Sequence, residues 1–138
     1  MTKIKSRNTG FRRIFVTITA LSLFSLNFAN VNAAYNNTDF NGIVGYAYGY
    51  VSNSGVTKLN SFLNFTVNWK TSNPDQNTLY FKMVNSNGAN RGSKKVTSKG
   101  KHTISATSDA WQGYSYWLMA SRQHIIDPQT RVTGIWTP

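Results

Sequence analysis

Apolar residues recur at every second position over long stretches of this chain, and this alternation is its most constraining feature. The clearest stretch has polar residues between the apolar side chains of Leu63, Phe65, Val67 and Trp69. Because successive side chains of a β-strand point to opposite faces of a sheet, the pattern predicts a strand with one dry face and one wet face.

Other stretches show the same period of two, and turn signals separate them. The alternating stretches cover residues 42–51, 79–84, 114–121 and 130–136. Turn signals occur at Ser72-Asn73-Pro74-Asp75, Asn87-Gly88 and Asp127-Pro128. About six to eight short strands without a helical stretch predict an all-β fold, either a small antiparallel β-sandwich or, alternatively, a small barrel.

The alternation also predicts the core and the pairing of neighbouring strands. The expected core residues are Leu63, Phe65, Val67, Trp69, Leu79, Phe81, Met83, Tyr116, Leu118, Val132 and Ile135. We expect residues 63–70 and 79–84 to form one hairpin, and residues 95–97 and 102–107 to form another. Residues 34–41 are polar, and we expect them to be loose.

The N-terminal segment has the three parts of a secretory signal peptide. Residues 1–13 carry five basic residues and no acid, the apolar run Ile14–Leu26 follows, and Ala33 closes the segment. We therefore predict cleavage after Ala33, with Ala29 as an alternative, and a single secreted domain over residues 34–138. An uncleaved membrane anchor competes with this prediction, but the apolar run is shorter than the roughly 20 residues that span a bilayer.

Removal of the signal peptide changes the charge of the working protein. The full chain has fifteen Lys and Arg, four acidic residues and a formal net charge of +11. Five basic residues lie in the signal peptide, so residues 34–138 keep ten basic residues and four Asp, a net charge of +6. A basic exported protein favours anionic partners outside the cell, namely cell-wall or membrane-surface components.

The residues needed for common catalytic chemistries are scarce. The chain has no Cys, which excludes disulfides and thiolate metal sites, and it has no Glu, four scattered Asp and two His. We therefore predict no enzymatic activity, no catalytic residue, no metal site and no cofactor. One alternative stays open: a small hydrolase would be possible if His124 and Asp127 met a serine in a pocket.

Two neighbouring segments are candidates for binding. The first is basic, with no acid between Val84 and Ser108, and consists of Arg91, Lys94, Lys95, Lys99 and Lys101. It contains no aromatic residue to stack on bases, and a secreted protein is kept away from the genome, so we predict envelope binding and no nucleic-acid partner.

The second candidate segment is aromatic. Trp111, Tyr114, Tyr116 and Trp117 lie close together in the sequence, and aromatic faces beside amide and hydroxyl groups suit sugar rings and membrane interfaces. Packing in the core is the competing explanation for these rings. Strand alternation cannot bury Tyr116 and Trp117 on one face. We expect Trp111, Tyr114 and Trp117 to bind the envelope after the basic segment has captured it.

The C-terminal strings Gly113–Ala120 (GYSYWLMA) and Val132–Pro138 (VTGIWTP) resemble those of small secreted β-rich proteins of Gram-positive bacteria. Those proteins share a signal peptide, a Y-x-Y/W-x-L-x-A strand and a closing V-x-G-x-W-x-P. The general plan is also similar to that of lactococcin-type bacteriocins, which are cysteine-free β-sandwiches. This resemblance implies an exported β-sandwich that attacks wall synthesis, and it assigns no site residue.

These observations together predict a secreted, extracellular, non-enzymatic protein that binds bacterial envelope components as a bacteriocin-like antimicrobial. The alternative is a non-toxic extracellular structural, adhesion or matrix protein. Tyr-rich segments such as residues 45–51 would then allow self-association through exposed strand edges.

Overall fold

A computed structural model describes residues 35–138, and this part of the chain consists of strands and connecting turns. The strands are β1 (Thr38–Val44), β2 (Gly49–Tyr50), β3 (Val56–Thr57), β4 (Asn64–Asn73), β5 (Leu79–Asn85), β6 (Asn90–Val96), β7 (Gly100–Ser105), β8 (Ser115–Arg122) and β9 (Thr130–Thr137). The predicted signal peptide and its cleavage site lie outside the described residues. The described residues 35–138 include no helix that could span a lipid bilayer.

The strands form two antiparallel sheets. Sheet A has the order β1-β9-β4-β7, and sheet B has the order β2-β8-β5-β6, with β3 also paired to β8. The inner faces of the two sheets meet in a single apolar core. The predicted small antiparallel β-sandwich is therefore confirmed, and the described strands do not close into the alternative small barrel.

The core is aromatic at its centre. Phe81 of sheet B packs edge-on against two rings of sheet A, with ring centroids 5.9 Å from Phe40 and 6.3 Å from Trp69. Such edge-to-face pairs add about 0.5–1.5 kcal/mol each to the free energy gained by burying the rings. Nine of the predicted core residues are buried: Phe65, Val67, Trp69, Leu79, Phe81, Met83, Tyr116, Leu118 and Val132.

Two of the predicted core residues lie elsewhere. Leu63 is 54% exposed because it precedes β4, which begins at Asn64. Ile135 lies on the outer face of sheet A, because the register of β9 turns Gly134 and Trp136 inward. Gly134 supplies no bulk to the core, and its missing side chain leaves room for the ring of Phe40.

Both predicted hairpins are wrong. The chain crosses from sheet A to sheet B between β4 and β5, and it crosses back between β6 and β7. Short β-branched segments fit either sheet, so neighbourhood in the sequence does not fix their partners. The connection from β5 to β6 is a hairpin, and Gly88 supplies the positive φ of 74° in its turn.

The N-terminal part of the domain is more ordered than its polar sequence predicts. Strand β1 begins at Thr38 and pairs along its whole length with β9, so the prediction that residues 34–41 are loose is wrong for this strand. Backbone hydrogen bonds to a neighbouring strand hold it, and Phe40 and Val44 supply its buried side chains. By contrast, strand pairing in the tyrosine-rich segment is limited to Gly49 and Tyr50.

Candidate functional site

An open groove of ≈ 480 Å³ lies on the outer face of sheet A. Its floor comes from the outward side chains of the neighbouring strands β7, β4 and β9, and its walls come from segments that precede β1 and β4. The lining residues are Tyr35, Asn37, Phe62, Asn64, Thr66, Lys101, Thr103 and Thr137.

The alternation of β4 explains why the floor is polar. Phe65, Val67 and Trp69 point into the core, so Asn64 and Thr66 must point outward. The register then places Thr103 of β7 and Thr137 of β9 on either side of Thr66. The floor is therefore a row of uncharged amide and hydroxyl groups across three strands.

A shallower recess of ≈ 200 Å³ continues the groove toward the other end of β4. Asn68 and Ile135 are added here to residues that also line the groove. Lys101 lies opposite Asn68 and contributes an ammonium group to both recesses. No carboxylate lines either recess, so Lys101 gives the otherwise neutral groove a positive charge.

Two exposed aromatic rings form the walls. Tyr35 is 57% exposed and Phe62 is 46% exposed. A hydrogen bond from the Thr137 hydroxyl to Asn37 fastens the segment beside Tyr35 to β9. The backbone amide of Phe62 donates to Asn60 Oδ1 at 3.0 Å, which fixes the loop that carries the second ring.

A buried lysine organises the loop beneath Phe62. Lys58 is fully buried and donates through Nζ to Asn60 Oδ1 at 3.0 Å and to the Asn64 carbonyl at 3.1 Å. Burial lowers the pKa of Lys58, because the charged form loses its hydration. Lys58 forms no ion pair within the part of the chain that the structure describes. These neutral acceptors therefore hold both ends of the loop around the ammonium group.

Further apolar side chains are exposed at the same end of the sandwich. The rings of Trp111 and Tyr114 are both 58% exposed and pack edge-to-face with centroids 5.7 Å apart. Their loop is joined to the Lys58 loop by a 2.8 Å hydrogen bond from Gln112 Nε2 to the Leu59 carbonyl. Backbone hydrogen bonds between Lys58 and residues 113–114 complete the junction.

The eight binding residues predicted from the sequence do not form one surface. Trp111 and Tyr114 are together and exposed, but Trp117 is half-buried on the outer face of sheet B, opposite Val84. Gly55 packs against the Trp117 ring, and a Cβ at that glycine would lie 2.6 Å from it. Trp117 is therefore separated from the other two rings.

The five predicted cations are also dispersed, because β6 and β7 belong to different sheets. Lys95 lies on the outer face of sheet B, opposite Tyr80, and Lys101 lies on the outer face of sheet A. Lys94 of the edge strand β6 pairs with Phe81 of β5 and therefore lies on the inward side of sheet B. Its side chain is nevertheless exposed. The basic segment therefore does not present its cations on a single surface.

Carboxylates neutralise the other two cations. Arg91 Nη1 lies 3.0 Å from Asp109 Oδ2, and Lys99 pairs with Asp75. The hydrogen bond from Lys99, assisted by the Ser72 hydroxyl, lowers the pKa of Asp75. A hydrogen bond from the Thr107 hydroxyl and the nearby Arg91 charge lower the pKa of Asp109.

A hydrolase site would require His124 and Asp127 to meet a serine in a pocket, and the structure does not show this arrangement around His124. Asp127 Oδ2 accepts a hydrogen bond from the backbone amide of His124 at 3.0 Å, so the carboxylate closes a turn and does not orient the imidazole. A polar recess here is lined by both residues and by Asp75 and Thr78, but by no serine. Within residues 35–138, no cluster of three or more His, Cys, Asp or Glu is placed to hold a metal ion.

Comparison of the chain with protein-family models, with curated proteins and with solved structures finds no match.

Sequence reasoning missed most of the groove. The Asn64-x-Thr66-x-Asn68 series on the wet face of β4 was an available signal, because outward positions of a strand are commonly charged and these are not. Tyr35 and Phe62 lie outside the strands, and no periodicity links them to that face. Only the three-dimensional arrangement brings the rings and the polar row together.

Proposed function

We propose that this protein is a secreted, non-enzymatic binder of the bacterial envelope that holds a sugar polymer of the cell wall in the groove of sheet A. The observation that carries this proposal is the combination of two exposed rings with a floor of amide and hydroxyl groups. Aromatic faces pack against the C–H faces of sugar rings, while amides and hydroxyls exchange hydrogen bonds with their hydroxyl groups.

The shape and charge of the groove support a polymer of sugars over a small buried ligand. The groove is open to solvent and extends to Asn68 and Ile135, so it can hold a segment of an extended chain. Its single charged group is Lys101, which suits a neutral or weakly acidic glycan. The exposed Trp111–Tyr114 pair, on the loop joined to that of Phe62, extends the contact surface beyond the groove.

The antimicrobial, bacteriocin-like role and the secreted location are part of this proposal. Their support is the signal peptide predicted from the sequence and the net charge of +6 that would remain after its removal. A structural or adhesion protein would use the same glycan contacts without killing cells. A growth-inhibition assay with purified 34–138, beside a sedimentation assay for self-assembly, distinguishes these two roles.

The binding proposal is tested with purified wall glycan strands from which phosphate polymers have been removed. We expect Phe62→Ala to weaken binding about fivefold to tenfold, because it removes a stacking face worth roughly 1 kcal/mol or more. Tyr46→Ala is the matched control, since Tyr46 is a similarly exposed ring, at 55%, that does not line the groove. Equal binding by wild type and Phe62→Ala, or an equal loss in both variants, would contradict the proposal.

A further inference from the structure

We infer that the outer face of sheet B is a second binding site, and that its ligand is an anionic polyol-phosphate chain of the cell wall. This inference goes beyond the proposed function, because the face belongs to the other layer and shares no residue with the glycan groove. We call it the tyrosine–lysine face and define it by Tyr48, Tyr50, Tyr80, Lys82 and Lys95.

The strand register places four of these residues on one surface. Tyr50 pairs with Met119, which pairs with Lys82, so one row crosses β2, β8 and β5. The next row crosses Ser121 of β8, Tyr80 of β5 and Lys95 of β6. The inner side of these strands carries Leu79, Phe81 and Met83, so both rows face outward.

Tyr48 completes the face by contacting Lys82 of the first row. Lys82 Nζ lies 4.1 Å from the centroid of the Tyr48 ring, and Lys95 Nζ lies 6.0 Å from that of Tyr80. These cation–π contacts hold each ammonium group beside a ring. Burial raises the pKa of Tyr48, so its hydroxyl stays protonated and uncharged at neutral pH.

The charge of this face is wholly positive. All four Asp lie elsewhere: Asp75 and Asp109 pair with other cations, and Asp127 closes the turn at His124. The fourth, Asp39, lies opposite Ile135 on the outer face of sheet A. Lys82 and Lys95 have no ion-pair partner among the described residues. An anionic ligand therefore complements the face without displacing an internal carboxylate.

The state of the tyrosine rings favours a polyol phosphate over a single-stranded nucleic acid. Nucleic-acid strands bind such surfaces by stacking successive bases on free ring faces. Here Tyr48 and Tyr80 are half-buried and contact lysines, which leaves Tyr50, 55% exposed, as the one well-exposed ring of the face. The face instead offers ammonium groups for phosphates, and tyrosine hydroxyls for the hydroxyl groups of a short aliphatic unit between them.

The test measures binding of purified 34–138 to poly(glycerol phosphate) at low salt. We expect the double variant Lys82→Gln/Lys95→Gln to bind about tenfold more weakly, because it removes both unpaired cations of the face. The control Lys70→Gln/Lys94→Gln removes the same charge from other surfaces and should change affinity less than about twofold. Circular dichroism and the thermal midpoint check that both variants are folded.

Three outcomes would overturn the inference. One is an absence of binding by the wild type, and another is an equal loss in both double variants, which would show that net charge alone is responsible. The third is tighter binding of an oligothymidylate with the same number of phosphates, which would indicate a nucleic-acid site.

Binding to phosphate-free glycan strands separates this inference from the proposed function. The Lys82→Gln/Lys95→Gln variant should keep its glycan affinity if the two faces act independently. Loss of phosphate-polymer binding with intact glycan binding supports the second site. Intact phosphate-polymer binding in a protein that fails to bind glycan would refute the groove proposal alone.

Discussion

The outer faces of the two sheets differ far more than their inner faces do. Both inner faces carry aromatic and aliphatic side chains that pack into one core. Outside, sheet A presents uncharged amide and hydroxyl groups in a groove, whereas sheet B presents tyrosines and lysines without an acid. Burial constrains the inner rows to be alike, so the difference in chemistry between the outer rows is what points to two ligands.

The largest expected effect comes from a side chain added at Gly134, where β9 lies very close to its neighbours beneath the groove. A Cβ at Gly134 would lie 2.6 Å from Phe40 Cε1 and would also meet the Asn68 carbonyl oxygen. We therefore expect Gly134→Ala to lower the free energy of unfolding by about 2–3 kcal/mol through overpacking, measured by urea denaturation. Because the change also displaces Asn68 or β9, glycan binding should fall while phosphate-polymer binding persists.

Gly49→Ala is the matched control in sheet B. The nearest atom to a Cβ at Gly49 is the Ile43 carbonyl oxygen at 3.7 Å, an ordinary contact. We expect this variant to stay within about 0.5 kcal/mol of the wild type. Similar losses in the two alanine variants would show that the close approach at Gly134 does not distinguish the sheets.

The next effect comes from the buried lysine, which has no counterpart on the tyrosine–lysine face. Lys58→Met removes a costly buried charge but leaves the Asn64 carbonyl without its donor and Asn60 with one donor fewer. We expect a net loss of about 1–2 kcal/mol at neutral pH, since an unsatisfied buried acceptor costs about 1–3 kcal/mol. Glycan binding should weaken because the Phe62 loop is no longer fixed.

The stability difference between the wild type and Lys58→Met should also depend on pH, in a direction that the lowered pKa of Lys58 determines. Burial lowers the pKa of Lys58 below 10.5, so between the two values the unfolded chain binds a proton that the folded protein does not. The wild type should then gain stability relative to Lys58→Met as the pH rises toward 10.5. Denaturation of both proteins at about pH 7 and about pH 10 measures the difference. If the difference in free energy of unfolding between the two proteins stays constant or becomes smaller, the pKa of Lys58 is not lowered by folding.

The sequence predicted the sandwich and most of its core for a simple physical reason. A period of two marks which side chains share a face, and the core takes the apolar face. The prediction was wrong at Leu63, which lies beyond the strand end, and at Ile135, where the inward position belongs to Gly134. At Ile135 the size of the side chain was misleading, because the inward space beside Gly134 is filled by the ring of Phe40 from the neighbouring strand.

The alternation of apolar residues could not predict which strands pair or which side chains share a binding surface. The alternation in β6 and β7 shows nothing about which sheet each strand joins, since long-range packing decides this. As a result, five cations close in sequence lie on different surfaces, while Lys82 and Lys95, from different strands, lie on one face. Lys95 belongs to the basic segment, which contains no aromatic residue, but the ring beside it is Tyr80 of the neighbouring strand β5. Such a neighbour cannot be recognised from the composition of the segment itself.

The salt dependence of ligand affinity should distinguish the two faces without any mutation. If two lysines contact phosphates, affinity for poly(glycerol phosphate) should fall roughly fivefold to tenfold between about 50 and 200 mM salt. Binding to the phosphate-free glycan should change less than about twofold, because hydrogen bonds and ring stacking dominate in the groove. Titrations of both polymers across this range measure the two slopes. Equal slopes would remove the proposed distinction between a charged face and a neutral groove.

The smallest expected effect concerns Lys99, whose pairing with Asp75 should keep its charge from contributing to either face. Asp75→Asn frees Lys99 and should raise affinity for the phosphate polymer by less than about twofold at low salt. Hydrogen bonds from Lys99 and Ser72 lower the pKa of Asp75 below 3.8. This carboxylate therefore stabilises the folded protein above pH 3.8, and the contribution is lost as the pH falls through the lowered pKa.

The Asp75→Asn variant should consequently be less stable than the wild type at neutral pH and converge with it in acid. Thermal midpoints across the acid range measure this convergence. The expected difference is small because both groups of the ion pair are largely exposed. A large rise in phosphate-polymer affinity would instead show that Lys99 reaches the ligand once it is released. The positive surface would then extend beyond the tyrosine–lysine face, around the end of the sandwich where the chain passes between the sheets.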